Sequence, residues 1–140
     1  MPQVVTCILE NDGKILLLKR SNLVKTYRGL WGGIAGYVEK LENPYDTAIK
    51  EIKEETGINT DSLQLIRKGE PIEFSDIYDG RRYNWIVHPF LFRIRSKKLI
   101  RLDWEHEECL WVFPSESKEF DTVPGLDKVI TRLLNANDIM

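Results

Sequence analysis

Residues 36–58, GYVEKLENPYDTAIKEIKEETGI, limit the fold more than any other stretch of this 140-residue chain. Asn43 suits the cap position before a helix, and Pro44 suits the first helical position because its backbone angle is already helical. Gly57 suits the left-handed residue that commonly ends a helix. The stretch therefore predicts a helix over residues 44–56.

Three carboxylates of this predicted helix fall on one side. At about 100° per residue, Glu51, Glu54 and Glu55 lie within roughly 100° of arc, where like charges repel one another. Grouped oxygen ligands suit a hard cation such as Mg²⁺ or Mn²⁺ better than Zn²⁺. A solvated helix face is the alternative, because Glu and Lys are strong helix formers. The core would be contacted by a separate apolar stripe formed by Tyr45, Ala48, Ile49 and Ile52.

The spacing of this stretch resembles the Nudix box. That motif has Gly, five residues, Glu, seven residues, and then Arg-Glu-apolar-x-Glu-Glu-x-Gly-apolar. Its specified positions are matched here by Gly36, Glu42, Glu51, Ile52, Glu54, Glu55, Gly57 and Ile58. A chance match of six identities is expected in about one window in 10⁷ at ordinary residue usage. The resemblance extends to the preceding TYRGLWGGIAG and so covers most of the chain.

This resemblance implies hydrolysis of a pyrophosphate bond in a nucleoside diphosphate linked to another group. It implies Mg²⁺ as the cofactor, with Mn²⁺ as a substitute. The implied metal ligands are the carbonyl of Gly36 and the carboxylates of Glu51, Glu54 and Glu55, with Glu51 and Glu54 also catalytic. Glu39 is a weaker candidate ligand. We expect a (deoxy)nucleoside triphosphate as substrate. Dinucleoside polyphosphates, ADP-ribose and a non-catalytic nucleotide-sensing role are the alternatives.

Lys50 is the one departure from the motif, since the family has Arg at this position, where it supports a catalytic Glu by ion pairing. Lysine keeps the charge but lacks the planar fork that grips a carboxylate with two hydrogen bonds. We expect Lys50 to keep this catalytic supporting role, with Glu42 or Glu51 as its partner.

The order of predicted elements favours an α+β fold. Strands are expected over residues 4–9, 14–20, 63–74, 81–95 and 109–113, with a turn over 75–80 and a second helix over 126–134. The order does not alternate strand and helix, so a purely parallel sheet is excluded. The resemblance implies an α-β-α sandwich, in which the box helix and the C-terminal helix flank a mixed sheet. We expect one domain over residues 1–140.

Two segments outside the box carry candidate substrate contacts. Cationic and aromatic side chains can hold phosphates and stack on a base. The first segment precedes the box, and the second begins the long strand over residues 81–95. Packing of the aromatic residues in the core is the alternative. The candidate substrate-binding residues are Arg20, Tyr27, Arg28, Trp31, Arg81 and Tyr83.

A third segment, residues 102–112, is acidic and contains Glu105, His106, Glu107 and Glu108. In some Nudix enzymes a carboxylate from this region completes the metal site or acts as the base. We expect Glu108 to be that catalytic carboxylate and His106 to orient a phosphate or a carboxylate. A solvated acidic loop is the alternative.

Net charge and cysteine content limit the kinds of partner and the location expected for this chain. A net charge of −2 gives no general attraction to nucleic acid or to an anionic membrane. No apolar run of about 20 residues is present, and Cys7 and Cys109 do not form a disulfide framework. We therefore expect a cytoplasmic protein with a small-molecule nucleotide partner, no membrane and no extended nucleic acid. The resemblance adds a possible homodimer, as is common in the family.

Overall fold

A computed structural model describes residues 1–134, which form eight β-strands and two α-helices. The strands are β1 (Gln3–Asn11), β2 (Lys14–Arg20), β3 (Trp31–Gly32), β4 (Ile34–Tyr37), β5 (Leu63–Lys68), β6 (Ile72–Tyr78), β7 (Arg81–Ile94) and β8 (His106–Val112). The helices are α1 (Pro44–Thr56) and α2 (Leu126–Leu133). The predicted bounds of α1 are confirmed. The single-domain prediction includes residues 135–140, which lie outside the described residues.

The strands form one mixed sheet. Its main path runs β3-β2-β1-β7-β5, while β4 also pairs with β1, β6 with β7 and β8 with β2. The β1–β7 pair is parallel and the other pairs are antiparallel. The predicted mixed sheet and α+β class are confirmed.

The two helices cover opposite faces of the sheet, because alternate residues of β1 point to opposite sides. Val5, Cys7 and Leu9 join one buried cluster together with Ala48 and Ile52 of α1. Ile8 joins the other cluster, to which α2 contributes Leu126, Val129, Ile130 and Leu133. Each helix therefore buries one apolar stripe on the sheet, as the α-β-α arrangement requires.

Some predicted bounds were wrong. The strand predicted over residues 63–74 is two strands separated at Gly69, and the hairpin turn is confined to Asp79 and Gly80, which both have positive φ. The strand β8 begins at His106 rather than at Cys109. Tyr45 lies at the rim of the core with 37% of its surface exposed, although its ring contacts aromatic rings of β7. No helix within residues 1–134 is long and apolar enough to span a membrane.

Candidate active site

The helix α1 is fixed at both ends by the residues that predicted it. The side chain of Asn43 accepts a hydrogen bond of 2.9 Å from the backbone N–H of Asp46. Gly57 adopts φ 78°, and its N–H donates to the carbonyl of Lys53 at 2.8 Å. These caps satisfy backbone groups that a helix end leaves unpaired, and they set which side chains face the sheet.

Gly36 lies directly against the carboxylate of Glu51. A Cβ atom at position 36 would overlap the Glu51 side chain, so only glycine leaves room for the carboxylate there. The φ of Gly36 is not in the left-handed region, so the need is for space rather than for backbone freedom. The first position of the box is therefore explained by a close approach of helix and strand.

The three box carboxylates differ in burial. Glu54 is exposed, Glu51 is partly buried and Glu55 is 1% exposed. Burial raises the pKa of Glu55 well above its usual range, and contact with Glu51 raises it further. Burial also raises the pKa of Glu51. Among the described residues, Oε2 of Glu55 has no hydrogen-bond partner. Such a cluster is stabilised by a bound cation, since burial of a charge without a counter-charge is costly.

The segment at the start of β8 brings two more ligand-type side chains to Glu55. Ligand atoms of Glu55, Glu105 and His106 all lie within 4.8 Å of one another. The ring atom Nε2 of His106 lies 3.6 Å from Oε1 of Glu55, and Nδ1 lies 3.4 Å from Oδ1 of Asp103. Burial raises the pKa of Glu105, as does the neighbouring Asp103, and burial lowers the pKa of His106.

Ser21 holds this segment in place. Its N–H donates to the carbonyl of Glu105, and its hydroxyl donates to the carbonyl of Trp104, both at 2.8 Å. The register of the β2–β8 pair shifts between Lys19 and Arg20, beside this contact. A β-bulge of this kind re-aims side chains, and here it accompanies the placement of Glu105 at the cleft.

A cleft of about 430 Å³ joins the carboxylates to an apolar surface. One end has Gly36, Glu39, Glu51, Glu54 and Glu105. The other end lies across β1 from β4, on β6, β7 and the segment before α2, and it is formed mainly by Phe74, Trp85, Val87, Val123 and Pro124. A wider groove of about 730 Å³ lies near Asp12 and Asp61 and does not include the box carboxylates.

Arg20 and Tyr27 line this cleft, as the predicted substrate contacts require. Nε of Arg20 donates to the carbonyl of Thr26 at 3.0 Å, so the guanidinium is held by the loop that it precedes. The hydroxyl of Tyr27 donates to Asp76 of β6 at 2.7 Å, and its ring contacts Tyr78. The loop is therefore tied across the cleft to the β6–β7 hairpin.

Lys50 contacts Glu42, the first of the two partners considered for it. Its Nζ lies 3.0 Å from Oε2 and 3.3 Å from Oε1 of Glu42. The same carboxylate also accepts hydrogen bonds from the hydroxyl of Thr47 at 2.6 Å and from the N–H of Glu39 at 3.2 Å. These contacts lower the pKa of Glu42, and the Glu42 carboxylate raises the pKa of Lys50. Glu42 thereby links α1 to the loop that follows Gly36.

Glu108 does not reach the cleft, contrary to the sequence-based expectation. It lies opposite Lys19 in the β2–β8 ladder, 3.7 Å from that lysine, with its side chain 56% exposed. Glu107 also lies near Lys19, at 3.6 Å. Because Glu105 lines the cleft instead, it is the carboxylate of this segment that faces the box.

Four other predicted substrate contacts lie outside the cleft. Nε of Arg28 donates to the carbonyl of Val24 at 2.7 Å, and Trp31 packs on Phe120 with ring centres 5.4 Å apart. Arg81 is exposed at the start of β7. Tyr83 stacks on Trp85 at 5.6 Å and lines an adjoining groove of about 450 Å³.

The apolar end of the cleft was not identified from the sequence. Phe74 and Trp85 are directly paired on β6 and β7, and their rings stack at 5.6 Å. Their alternation along each strand was a usable signal, because residues two apart share a face. Val123 and Pro124, from the segment before α2, also line this end of the cleft. No local sequence pattern indicated that this segment lies at the cleft.

Comparison with known proteins agrees with this arrangement. The family model described as NUDIX domain matches residues 1–133. CTP pyrophosphohydrolase of Escherichia coli is 29% identical over 125 residues, which cover 89% of this chain and 85% of that protein. MutT4 of Mycobacterium tuberculosis is 36% identical over 85 residues, 61% of this chain but only 33% of that protein's length.

A crystal structure of a MutT protein from Methanosarcina mazei has the same fold. Its TM-score is 0.75 at 24% identity, and the match covers 98% of this chain and 95% of that one. The match of the family model to residues 1–133, together with the named curated relatives, shows that the chain belongs to the Nudix family and is a pyrophosphohydrolase.

Proposed function

We propose that the chain hydrolyses a pyrophosphate bond of a nucleoside or deoxynucleoside triphosphate with Mg²⁺ as cofactor. The observation that carries this proposal is a single cleft with carboxylates at one end and an aromatic surface at the other. Its volume of about 430 Å³ lies within the range of small-molecule sites. A nucleotide has matching parts, since its phosphates take the metal end and its base takes the aromatic end.

The residues at the acidic end fit a hard divalent cation. The donors are oxygens, and Oε2 of Glu55 is buried without a partner among the described residues. Gly36 leaves space for the Glu51 carboxylate directly against its own backbone. We assign the carbonyl of Gly36 and the carboxylates of Glu51, Glu54 and Glu55 as ligands, with Mn²⁺ as a substitute for Mg²⁺. A bound cation would neutralise phosphate charge and acidify the attacking water.

Three other residues around the cation have separate roles in the proposed reaction. Arg20 binds phosphate oxygens, because a guanidinium presents several donors in one plane. Glu105 takes the catalytic role that the sequence had suggested for Glu108, completing the metal site or acting as the base, since it faces the cleft. Lys50 acts indirectly by holding Glu42, which fixes the loop after Gly36.

The aromatic end binds the base. The stacked pair of Phe74 and Trp85 offers a planar surface on which any base can stack, with Tyr27 on the neighbouring wall. The similarity to a CTP pyrophosphohydrolase supports a nucleoside triphosphate as substrate.

A dinucleoside polyphosphate is the second candidate substrate. The adjoining groove of about 450 Å³ shares Tyr37 and Trp85 with the cleft and is also lined by Tyr83 and Arg82. Such a surface could receive a second base. ADP-ribose has no specific observation in its favour. A cytoplasmic location fits the two free cysteines, and a small-molecule partner fits the cleft.

A hydrolysis screen tests the proposal. The protein is incubated with Mg²⁺ and a panel of nucleoside triphosphates, dinucleoside polyphosphates and ADP-ribose, and the products are identified by chromatography. We expect Mg²⁺-dependent release of pyrophosphate or phosphate from at least one triphosphate. Turnover restricted to dinucleoside polyphosphates would select the second candidate, and turnover of none of these compounds would contradict both.

A further inference from the structure

We infer that the inner corner of the cleft contains a cation position with one nitrogen ligand, Nε2 of His106, beside the carboxylates of Glu55 and Glu105. This position takes a first-row transition ion such as Mn²⁺, whereas the outer carboxylates Glu51 and Glu54 keep an all-oxygen environment. The inference rests on the proposed metal-dependent function and adds a ligand that the box does not contain.

The three side chains converge, and no hydrogen bond joins them to one another within residues 1–134. Their ligand atoms lie within 4.8 Å of one another. The side chains of His106 and Glu55 are 2% and 1% exposed, and the 3.6 Å between Nε2 and Oε1 is too long for a hydrogen bond. Oε2 of Glu55 is buried without a partner among the described residues. A cation between these groups would satisfy them together.

Asp103 lies on the opposite side of the imidazole. Its carboxylate is 3.4 Å from Nδ1 of His106, but the angle is unsuitable for a hydrogen bond in this arrangement. Histidines that bind metals commonly direct their other ring nitrogen to a carboxylate, which fixes the ring and the tautomer. Asp103 lies on the side of Nδ1 where such a carboxylate is found, although the hydrogen bond itself is not formed.

The tautomer of His106 determines whether Nε2 can bind a cation. A neutral imidazole carries one N–H and one lone pair. In the tautomer that carries its proton on Nδ1, the side of Asp103, Nε2 has a free lone pair on the side of Glu55. In that tautomer Nε2 can act as a metal ligand, and a cation between Nε2 and an ionised Glu55 would separate two acceptors that otherwise repel.

The position adjoins the cleft through Glu105. Glu105 lines the cleft, while His106 and Glu55 lie behind it. The contacts of Ser21 with the carbonyls of Trp104 and Glu105 hold this segment against β2. Imidazole is a good ligand for transition ions, whereas Mg²⁺ favours oxygen ligands and retained water. The donor set therefore favours Mn²⁺ over Mg²⁺ at this position.

Pulsed electron paramagnetic resonance of bound Mn²⁺ tests the assignment directly. One equivalent of Mn²⁺ is added to the full chain in excess Mg²⁺, and electron spin echo modulation is recorded. We expect modulation from a directly coordinated ¹⁴N nucleus. In protein grown with ¹⁵N-histidine, the ¹⁴N modulation should be replaced by modulation from ¹⁵N. This control uses the unmutated protein, so it does not depend on the folding of a variant.

The chain offers a matched pair of variants, because it contains only two histidines. His106→Gln should abolish the ¹⁴N modulation and weaken Mn²⁺ binding about tenfold or more relative to Mg²⁺. His88→Gln should change neither property, since His88 contacts Gln3 at 2.7 Å and does not line the cleft.

The outcomes separate this inference from the proposed function. Bound Mn²⁺ without ¹⁴N modulation, together with Mg²⁺-dependent hydrolysis, would overturn the nitrogen ligand and leave the all-oxygen site intact. In that case His106 would be a structural group between two carboxylates. Absence of any Mn²⁺ binding, with hydrolysis unaffected by chelator, would overturn the proposed metal-dependent function as well.

Discussion

Replacing Gly36 with alanine should separate activity from stability. The new Cβ would lie closer than 3.0 Å to the Glu51 carboxylate, whereas ordinary contacts are 3.4–4 Å. The Glu51 side chain must therefore withdraw, by an amount on the order of 1 Å. The backbone need not change, because the φ of Gly36 is not in the left-handed region.

The magnitude follows from this displacement. A misplacement of about 1 Å in a catalytic group can cost about 10²-fold in rate, which equals about 2.7 kcal/mol in activation free energy. The free energy of unfolding should change by less than about 1 kcal/mol. Alanine stabilises an ordinary backbone position by about 0.4–1 kcal/mol through the unfolded chain, which offsets the displaced side chain.

The assay compares kcat/KM and the denaturant midpoint of wild type, Gly36→Ala and the control Gly80→Ala. Gly80 has open space around it but a φ of +75°, so alanine there should cost about 1–2 kcal/mol of stability. Gly80 does not line the cleft, so the control should keep wild-type kcat/KM. Unchanged kcat/KM in Gly36→Ala would show that glycine is not needed to position Glu51.

Three further predictions concern the ion pairs and the aromatic surface. Lys50→Arg should give a steady-state rate equal to or above wild type, because a guanidinium can bind the Glu42 carboxylate with two donors. A large loss of rate would show that this pair does not support catalysis. Arg93→Met should lower the free energy of unfolding in urea by about 1–3 kcal/mol. Glu10 is 4% exposed and would lose its ion pair with Arg93, in which Nε lies 2.7 Å from Oε2, and the effect is limited because the guanidinium is itself partly solvated. The exposed control Arg95→Met should change the free energy of unfolding by less than about 0.5 kcal/mol, and equal effects would contradict the pairing argument. Trp85→Ala should raise KM about tenfold with a smaller change in kcat, and Trp85→Phe should restore part of the loss; unchanged KM would exclude stacking of the base there.

The box helix could be predicted from the sequence because its signals are local. Asn43, Pro44 and Gly57 act through neighbouring backbone groups, and the helical repeat sets where Glu51 and Glu55 point. The degree of burial could not be predicted this way. Glu55 is buried because the segment before β8 covers it, and that contact joins residues about 50 positions apart.

The substrate contacts were predicted less well, since they depend on how distant strands meet. Composition alone favoured Arg28, Trp31 and Arg81, whereas the structure directs them to a loop carbonyl, to Phe120 and to solvent. The structure places Glu105 rather than Glu108 at the cleft for a similar reason. The register of β8 against β2, including its shift beside Arg20, determines which carboxylate reaches the cleft.

The proposed function requires that the box carboxylates bind a divalent cation on which hydrolysis depends. The most direct measurement is a Mg²⁺ titration of wild type and Glu54→Gln, followed both by calorimetry and by hydrolysis of the best triphosphate substrate. Glu54 is exposed, so the substitution should leave the melting temperature unchanged. We expect Glu54→Gln to lose both Mg²⁺ binding and turnover, and chelator to abolish wild-type turnover. Wild-type turnover in chelator, or undiminished turnover in Glu54→Gln, would contradict this requirement.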